Sequence, residues 1–479
     1  MEERTEFDAL GEVKIPADAY FGVQTKRAAD NFPITGYPVH SALIKSLALV
    51  KKAAIGVNME LDMIEEKKGL ALLQAAQEII DGNFLDQFIV DTIQGGAGTS
   101  FNMNMNEVLA NRALEILEEP RGNYRIIHPN NHVNMGQSTN DVVPTAIRLG
   151  AIKLLDKLMG EFRNLINALQ EKAREFDGVV KMGRTHLQDA VPIRLGQELK
   201  AFSRALERDV ERMNDARRDL MTVNLGATAI GTGLNAHQEY VKIVTRKLRE
   251  LTELDMKQAP DLIDATQNQD ELIQLSGCLR TAAVNFCKMA NDFRLLASGP
   301  RAGFNEIDLP AVQPGSSIMP GKVNPVIPEV INQISFQVQG NDHTVALAGQ
   351  AGQLELNVMM PVLVFNLYQS LDIMVQGARI FYEKCIRGLT AHQERCRQMV
   401  EESLGIITAI SPHIGYEAAS RVAEKALETG RPLRQILLEE GMLSSKELDI
   451  ILDPLEMTEP GIAGAELLRK ISDEQGRDN

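Results

Sequence analysis

From Pro144 onward one pattern dominates the chain: an apolar residue every three or four positions, sustained for about twenty residues or more at a time. Ile147, Ala151, Leu154, Leu158, Phe162, Leu165 and Leu169 form the first stripe. Leu195, Leu199, Phe202, Leu206, Val210 and Met213 form a second. Leu272, Leu275, Leu279, Ala283, Phe286, Ala290 and Phe293 form a third. This spacing gathers the apolar side chains on one face of an α-helix, which must then be buried against another element. Further helical stretches over about 325–348 and 353–385 bring the long elements to five. With no strand pattern between them, they predict an all-α chain built on an antiparallel bundle. The residues before them are mixed, with a helical stretch over 41–63, and those after carry shorter helices separated by turn signals such as "TGRP" and "EPGIAG". The expected division is 1–136, a mainly helical domain; 137–392, the long-helix domain; and 393–479, a small helical domain.

Several function classes are excluded by composition. No run approaches the roughly 18 uninterrupted apolar residues of a membrane span, and the acidic start "MEERTEFDALGEVKIP" is not a secretory signal. The four cysteines lack metal-ligand spacing and fit a reducing cytoplasm; Cys278 and Cys287 read as small core residues. A formal charge of −15 without a basic stripe speaks against nucleic acid. An anionic substrate would need a local cationic pocket working against that field.

Four polar, glycine-bearing islands interrupt the helical background: "GGAGTSFNMNMNE" (Gly95–Glu107), "GQSTND" (Gly136–Asp141), "GRTHLQD" (Gly183–Asp189) and "PGSSIMPGKVNP" (Pro314–Pro325). Each lies near a predicted helix end, where unpaired backbone N–H groups can meet an anion, although caps and turns use the same residue types. The last island is not a nucleotide loop. Gly315 and Gly321 are separated by five residues, Val323 follows Lys322, and no strand precedes. What its residues can do is hold a carboxylate and stabilise a carbanion. Small residues let successive N–H groups face developing negative charge, and Lys322 adds a full positive one. A serine in such a loop can act as a base only if the same donors stabilise its alkoxide.

Helix length bears on assembly. One continuous helix over Pro144–Phe176, about 33 residues, spans about 50 Å. The nine steps from Phe176 to Thr185 retrace at most about 32 Å. Unless the helix breaks at Gly150 or Gly160, Ser138–Asn140 and Thr185–His186 serve one site only if they come from different subunits. A homo-oligomer with shared sites follows as an expectation.

The string "GSSIMPGKVNP" resembles the signature of the fumarase/aspartase superfamily, and the likeness runs through "PADAYFGVQT", "HVNMGQSTND", "KMGRTHLQDAVPIRLGQE", "NLGATAIGTGLN" and "GNDHTVALAGQAGQLELNVM". "STND" and "NLGATAIGTGLN" look like its ammonia-eliminating branch; water elimination from malate on the same scaffold, or a non-catalytic derivative of it, are the alternatives. Met360 stands where that branch carries glutamate and the hydratases lysine. The resemblance implies three domains and a homotetramer with a core of some twenty helices, each site shared among three subunits. It implies reversible anti elimination from L-aspartate to fumarate and ammonia through an aci-carboxylate, with no organic cofactor; divalent-cation activation leaves no mark in a sequence. Ser316 would take the Cβ proton. Lys322 and Asn324 would hold a carboxylate, with Thr185 and His186 added from another chain, while Thr99, Ser138, Thr139 and Asn140 would meet the other carboxylate and the amino group. His128 and His132 read as structural.

Overall fold

The computed structural model describes residues 2–468; the last eleven residues of the expected C-terminal domain, 469–479, lie outside the described residues. The chain is all-α with a few short strands. Five long helices stand where the apolar stripes put them: Thr139–Glu175, Leu195–Asp219, Asp270–Leu296, Val326–Gln350 and Met360–Phe381. The boundaries expected after residues 136 and 392 fall just before the helices Thr139–Glu175 and Gln393–Glu402. The last long helix begins seven residues later than its stripe suggested. The cause is Asn357, whose Nδ2 donates to Ala348 O (2.9 Å) and Gly349 O (3.0 Å) while its Oδ1 accepts from Met359 N (2.8 Å). One buried amide thus satisfies carbonyls at the end of one helix and an N–H at the start of the next.

The chain forms two compact units, and every long helix has residues in both. The first unit comprises the chain up to Gly160, Asp209–Val284 and Ile334–Gln376. In it Ser41–Glu60 packs on Glu66–Asp81 and Gln238–Thr252, and Thr99–Ile116 packs on Glu66–Asp81. Its long-helix segments are tied by buried polar contacts. Tyr368 Oη donates to Ile147 O (2.7 Å), Ser276 Oγ to Asp342 (2.7 Å), and Arg148 to Gln269 (3.1 Å) and Glu271 (2.9 Å). Gly150 does not break its helix; it makes room for Tyr368, whose Oη would lie 2.1 Å from a Cβ there. The helix Thr139–Glu175 is therefore continuous, as the expectation of shared sites requires.

The second unit comprises Glu161–Arg208, Asn285–Gln333 and the chain from Gly377 onward. Stripe residues meet in a chain of rings: Phe162 on Phe286 (6.0 Å), Phe286 on Phe381 (5.3 Å), Phe381 on Phe293 (5.6 Å) and Phe293 on Phe202 (5.7 Å). Most cross edge to face, a geometry worth about 0.5–1.5 kcal/mol per pair beyond burial. The C-terminal helices enclose a smaller core of Val400, Ile410, Val422, Ile436, Leu437 and Leu448, which also buries Met182. Met182 belongs to a hairpin, Val180–Thr185 against Gln188–Arg194, where the sequence suggested only a polar turn between helices. Cys278 and Cys287 are half-buried rather than core residues, because their helix turns that edge partly toward solvent. Among the described residues no helix is long and apolar enough to cross a membrane.

Candidate active site

In the second unit the loop Pro314–Pro325 closes on itself at a neck. Gly315 N donates to Lys322 O (2.8 Å), and Asn324 Nδ2 donates back to Gly315 O (2.7 Å). Glycine is required at the neck: a Cβ on residue 315 would lie 2.6 Å from Lys322 O and 2.9 Å from Asn324 N. Asn324, named from sequence as a carboxylate ligand, gives one of the two N–H groups of its amide to loop closure. Within the loop, Ser316 Oγ accepts two backbone N–H bonds, from Ile318 and Met319, each 3.2 Å. Donors aimed at an oxygen favour its charged form, so this is the arrangement a serine alkoxide needs. Ser316 is half-buried, Lys322 is exposed, and Ile318 at the loop's crest is 83% exposed. Lys322 and Asn324 also line a cavity of the same unit, with Arg294, Asn305, Asp308 and His392.

Thr185 and His186 occupy the tip of the hairpin, in the same unit. His186 (φ 55°) and Leu187 (φ 60°) form a two-residue turn in which both residues are left-handed. Such turns favour Asn-Gly because a Cβ in this region costs about 1–2 kcal/mol per residue. The strain sits at a candidate catalytic residue, where strained backbone tends to concentrate. Thr185 and His186 are both exposed.

In the first unit two helix starts are joined. Thr99 opens its helix after Gly98, whose φ of 91° suits glycine. One turn on, Asn102 Nδ2 donates to Thr139 Oγ1 (3.3 Å) and to Asn134 Oδ1 (3.1 Å). Ser138 N donates to Asp141 Oδ1 (2.9 Å), and Ser138 Oγ accepts from Asn140 N (3.2 Å), so that serine caps the long helix. Asn140 Nδ2 donates to Ala229 O (2.7 Å), tying in the "ATAIGTG" turn. Below lies a residue the sequence reading missed. Lys51 is fully buried and donates to Asn134 Oδ1 (2.8 Å) and Gln137 Oε1 (3.0 Å). Burial lowers its pKa to about 7, with Asp141 pulling the other way. Burial likewise raises Asp141 to about 6, against N–H donors from Ser138, Thr228 and Gly226 and the charge of Lys51. The visible signal was a lysine inside "LALVKKAAI", where every other residue but Lys52 is buried. His128 and His132 are structural: His128 Nδ1 accepts from Asn130 N (3.0 Å), and His132 Nδ1 accepts from His128 N (2.8 Å).

Residues 11–340 match the family described as Lyase, and residues 406–459 match Fumarase C C-terminus. The chain belongs to the fumarase/aspartase superfamily of lyases. This lyase is 58% identical to the aspartate ammonia-lyase of Bacillus subtilis (strain 168), over 98% of its own length and 99% of that protein's. It is 48% identical to the enzyme of the same name from Helicobacter pylori (strain ATCC 700392 / 26695), over 95% and 98%. Among solved structures, the Brucella melitensis protein titled fumarate lyase:delta crystallin, bound to cobalt, superposes with a TM-score of 0.94 at 48% identity, covering 96% of this lyase and all of that chain. The class II fumarase of Schistosoma mansoni gives 0.92 at 36% identity, again covering 96% and 100%.

Proposed function

We propose that the chain is an aspartate ammonia-lyase, converting L-aspartate reversibly to fumarate and ammonia. The naming of its full-length relatives supports the substrate, and the two-donor cradle around Ser316 Oγ supports the chemistry. In this reading Ser316 Oγ, as the alkoxide, takes the Cβ proton. The electron pair left on Cβ delocalises into the adjacent carboxylate, giving the aci-carboxylate dianion, and Lys322 neutralises part of that charge. The C–N bond then breaks, the electron pair on Cβ becomes the double bond of fumarate, and the amine leaves as neutral ammonia. Because an ammonium group departs without further protonation, the uncharged hydroxyls and amides of Thr99, Ser138, Thr139 and Asn140 suffice around it. Expulsion of water from malate would call for a general acid. Thr185 and His186 supply donors to a substrate carboxylate from another subunit of a homotetramer, as the continuous helix Thr139–Glu175 supports. The setting is cytoplasmic, and no organic cofactor takes part.

The test is direct. Purified protein is offered L-aspartate and, separately, malate, and fumarate is followed by its ultraviolet absorbance. Turnover of malate alone would replace this reading with a hydratase. Ser316→Ala should abolish turnover while fold and assembly persist; near-normal activity would remove serine as the base. Mixing Ser316→Ala with His186→Ala subunits should restore part of the activity, and mixed oligomers without recovery would remove the shared site.

A further inference from the structure

Past Arg184 and Asp189, the tip of the hairpin that presents Thr185 and His186 makes no side-chain hydrogen bond or ion pair among the described residues. Its four outermost residues, Thr185 to Gln188, are all exposed. Its roots, by contrast, are fixed. On one strand Arg184 Nη1 donates to Glu306 Oε1 (2.8 Å), and the same guanidinium lies over the Phe304 ring (4.0 Å). On the other, Asp189 Oδ2 accepts from Ser403 Oγ (2.8 Å). The two residues face each other across the ladder, Arg184 opposite Asp189, with Thr185 opposite Gln188 as the last pair before the turn. Next to Arg184 the register shifts at Gly183, and a bulge of this kind re-aims the side chain beside it. Gly183 packs so close to the opposite strand that a Cβ would lie 2.6 Å from Val191 O.

Glu306 is built to hold rather than to react. Its side chain is 0% exposed, and Lys181 Nζ, also buried, sits 3.2 Å from Glu306 Oε2 and 3.3 Å from Glu198. Its backbone is fixed as well: Glu306 N donates to Leu296 O (3.0 Å) and Glu306 O accepts from His392 N (2.9 Å). A buried carboxylate paired to two cations is costly to disturb, because removing one partner leaves charge without water or counter-ion.

We propose that Glu306 and Arg184 are positioning residues that set where His186 stands, acting through the hairpin root rather than on substrate. The proposal rests on the reading of His186 as a substrate contact. It accounts for how a turn of two left-handed, non-glycine residues can be held in one place: the strain at the tip is opposed by the pins at the root. With Arg184 unpinned, the tip two residues further on is free to drift, and misplacement by about 1 Å at a reacting group can cost on the order of 100-fold.

A double-mutant cycle tests this. The kcat/KM for L-aspartate is measured for the intact enzyme, Arg184→Gln, Arg184→Lys, His186→Ala and the Arg184→Gln/His186→Ala pair. Arg184→Gln is expected to lower kcat/KM by about 10- to 100-fold. Arg184→Lys, which keeps the charge but not the flat face on Phe304, should fall between. In the His186→Ala background the Arg184→Gln change should cost less than about twofold, since there is no longer an imidazole to misplace. Should Arg184→Gln fail to assemble, Ser403→Ala loosens the opposite root and is read through the same cycle. An equal fold-loss with and without His186 would overturn the proposal, leaving Arg184 a purely structural residue. Wild-type kcat/KM in His186→Ala would overturn the assignment of His186 itself and the positioning role with it, and is seen before Arg184 is touched.

Discussion

Gly315→Ala isolates the shape of the serine loop from its chemistry. The substitution leaves Ser316, Lys322 and Asn324 in the chain and adds one methyl group at the neck. That methyl would lie 2.6 Å from Lys322 O and 2.9 Å from Asn324 N, and both are backbone atoms that cannot rotate away. The neck must open, losing the Gly315 N to Lys322 O bond and the Asn324 Nδ2 to Gly315 O bond. At about 1 kcal/mol net for each, the closed loop is disfavoured by about 2 kcal/mol. That lowers its population relative to the open form about 30-fold. The expected result is a fall in kcat/KM for L-aspartate of about that factor, read from fumarate absorbance. The melting temperature should stay near wild type, because the loop contributes little to either core. A kcat/KM within threefold of wild type would refute the reasoning, since the neck would then not hold Ser316 in its working position.

Two further outcomes follow from buried charge and strained backbone. Lys51 has a folded pKa near 7 against an ordinary 10.5, so between those values the unfolded chain binds the extra proton. The penalty of burying it is therefore fully present below about pH 7 and fades as pH rises toward 10.5, so stability gains with pH across that window. Lys51→Met should flatten this dependence in urea titrations at pH 7, 8 and 9; parallel slopes in the two proteins would contradict it. Leu187→Gly should stabilise the hairpin by up to about 1.5 kcal/mol, since it relieves a left-handed Cβ (about 1–2 kcal/mol) at an entropic cost of about 0.5–1 kcal/mol. Leu187 is 66% exposed, so little burial is forfeited, and a lower urea midpoint would show the turn is not strained as described.

What the sequence made legible and what it hid divide along a physical line. The five long helices could be read because an apolar stripe is local: Phe162, Phe202, Phe286 and Phe293 announced themselves by spacing and then met one another. The serine loop could be read because Gly, Ser, Pro and Lys in that order suit few other tasks. The start of the last long helix could not, since Asn357 fixes it by reaching back to carbonyls of the preceding helix. The hairpin beneath His186 was missed because its alternation is brief and broken by Gly183. Lys51 was missed because a lysine is ordinarily read as solvated, whatever the company it keeps. Arg184 and Glu306 lie 122 residues apart, a pairing no local pattern carries.

The passage of all five long helices through both compact units has a consequence for anyone wishing to take the protein apart. Each unit is assembled from three separate stretches of chain, and all five long helices contribute to each. Because the stretches of the two units alternate along the chain, no single cut separates one unit from the other, so a nick in an exposed loop should leave the pieces clasped together. Because contacts between distant stretches carry the loop-closure cost before they are rewarded, closure should come late and all together. A chain of this layout offers a ribosome or a designer no midpoint at which half of it is already a protein.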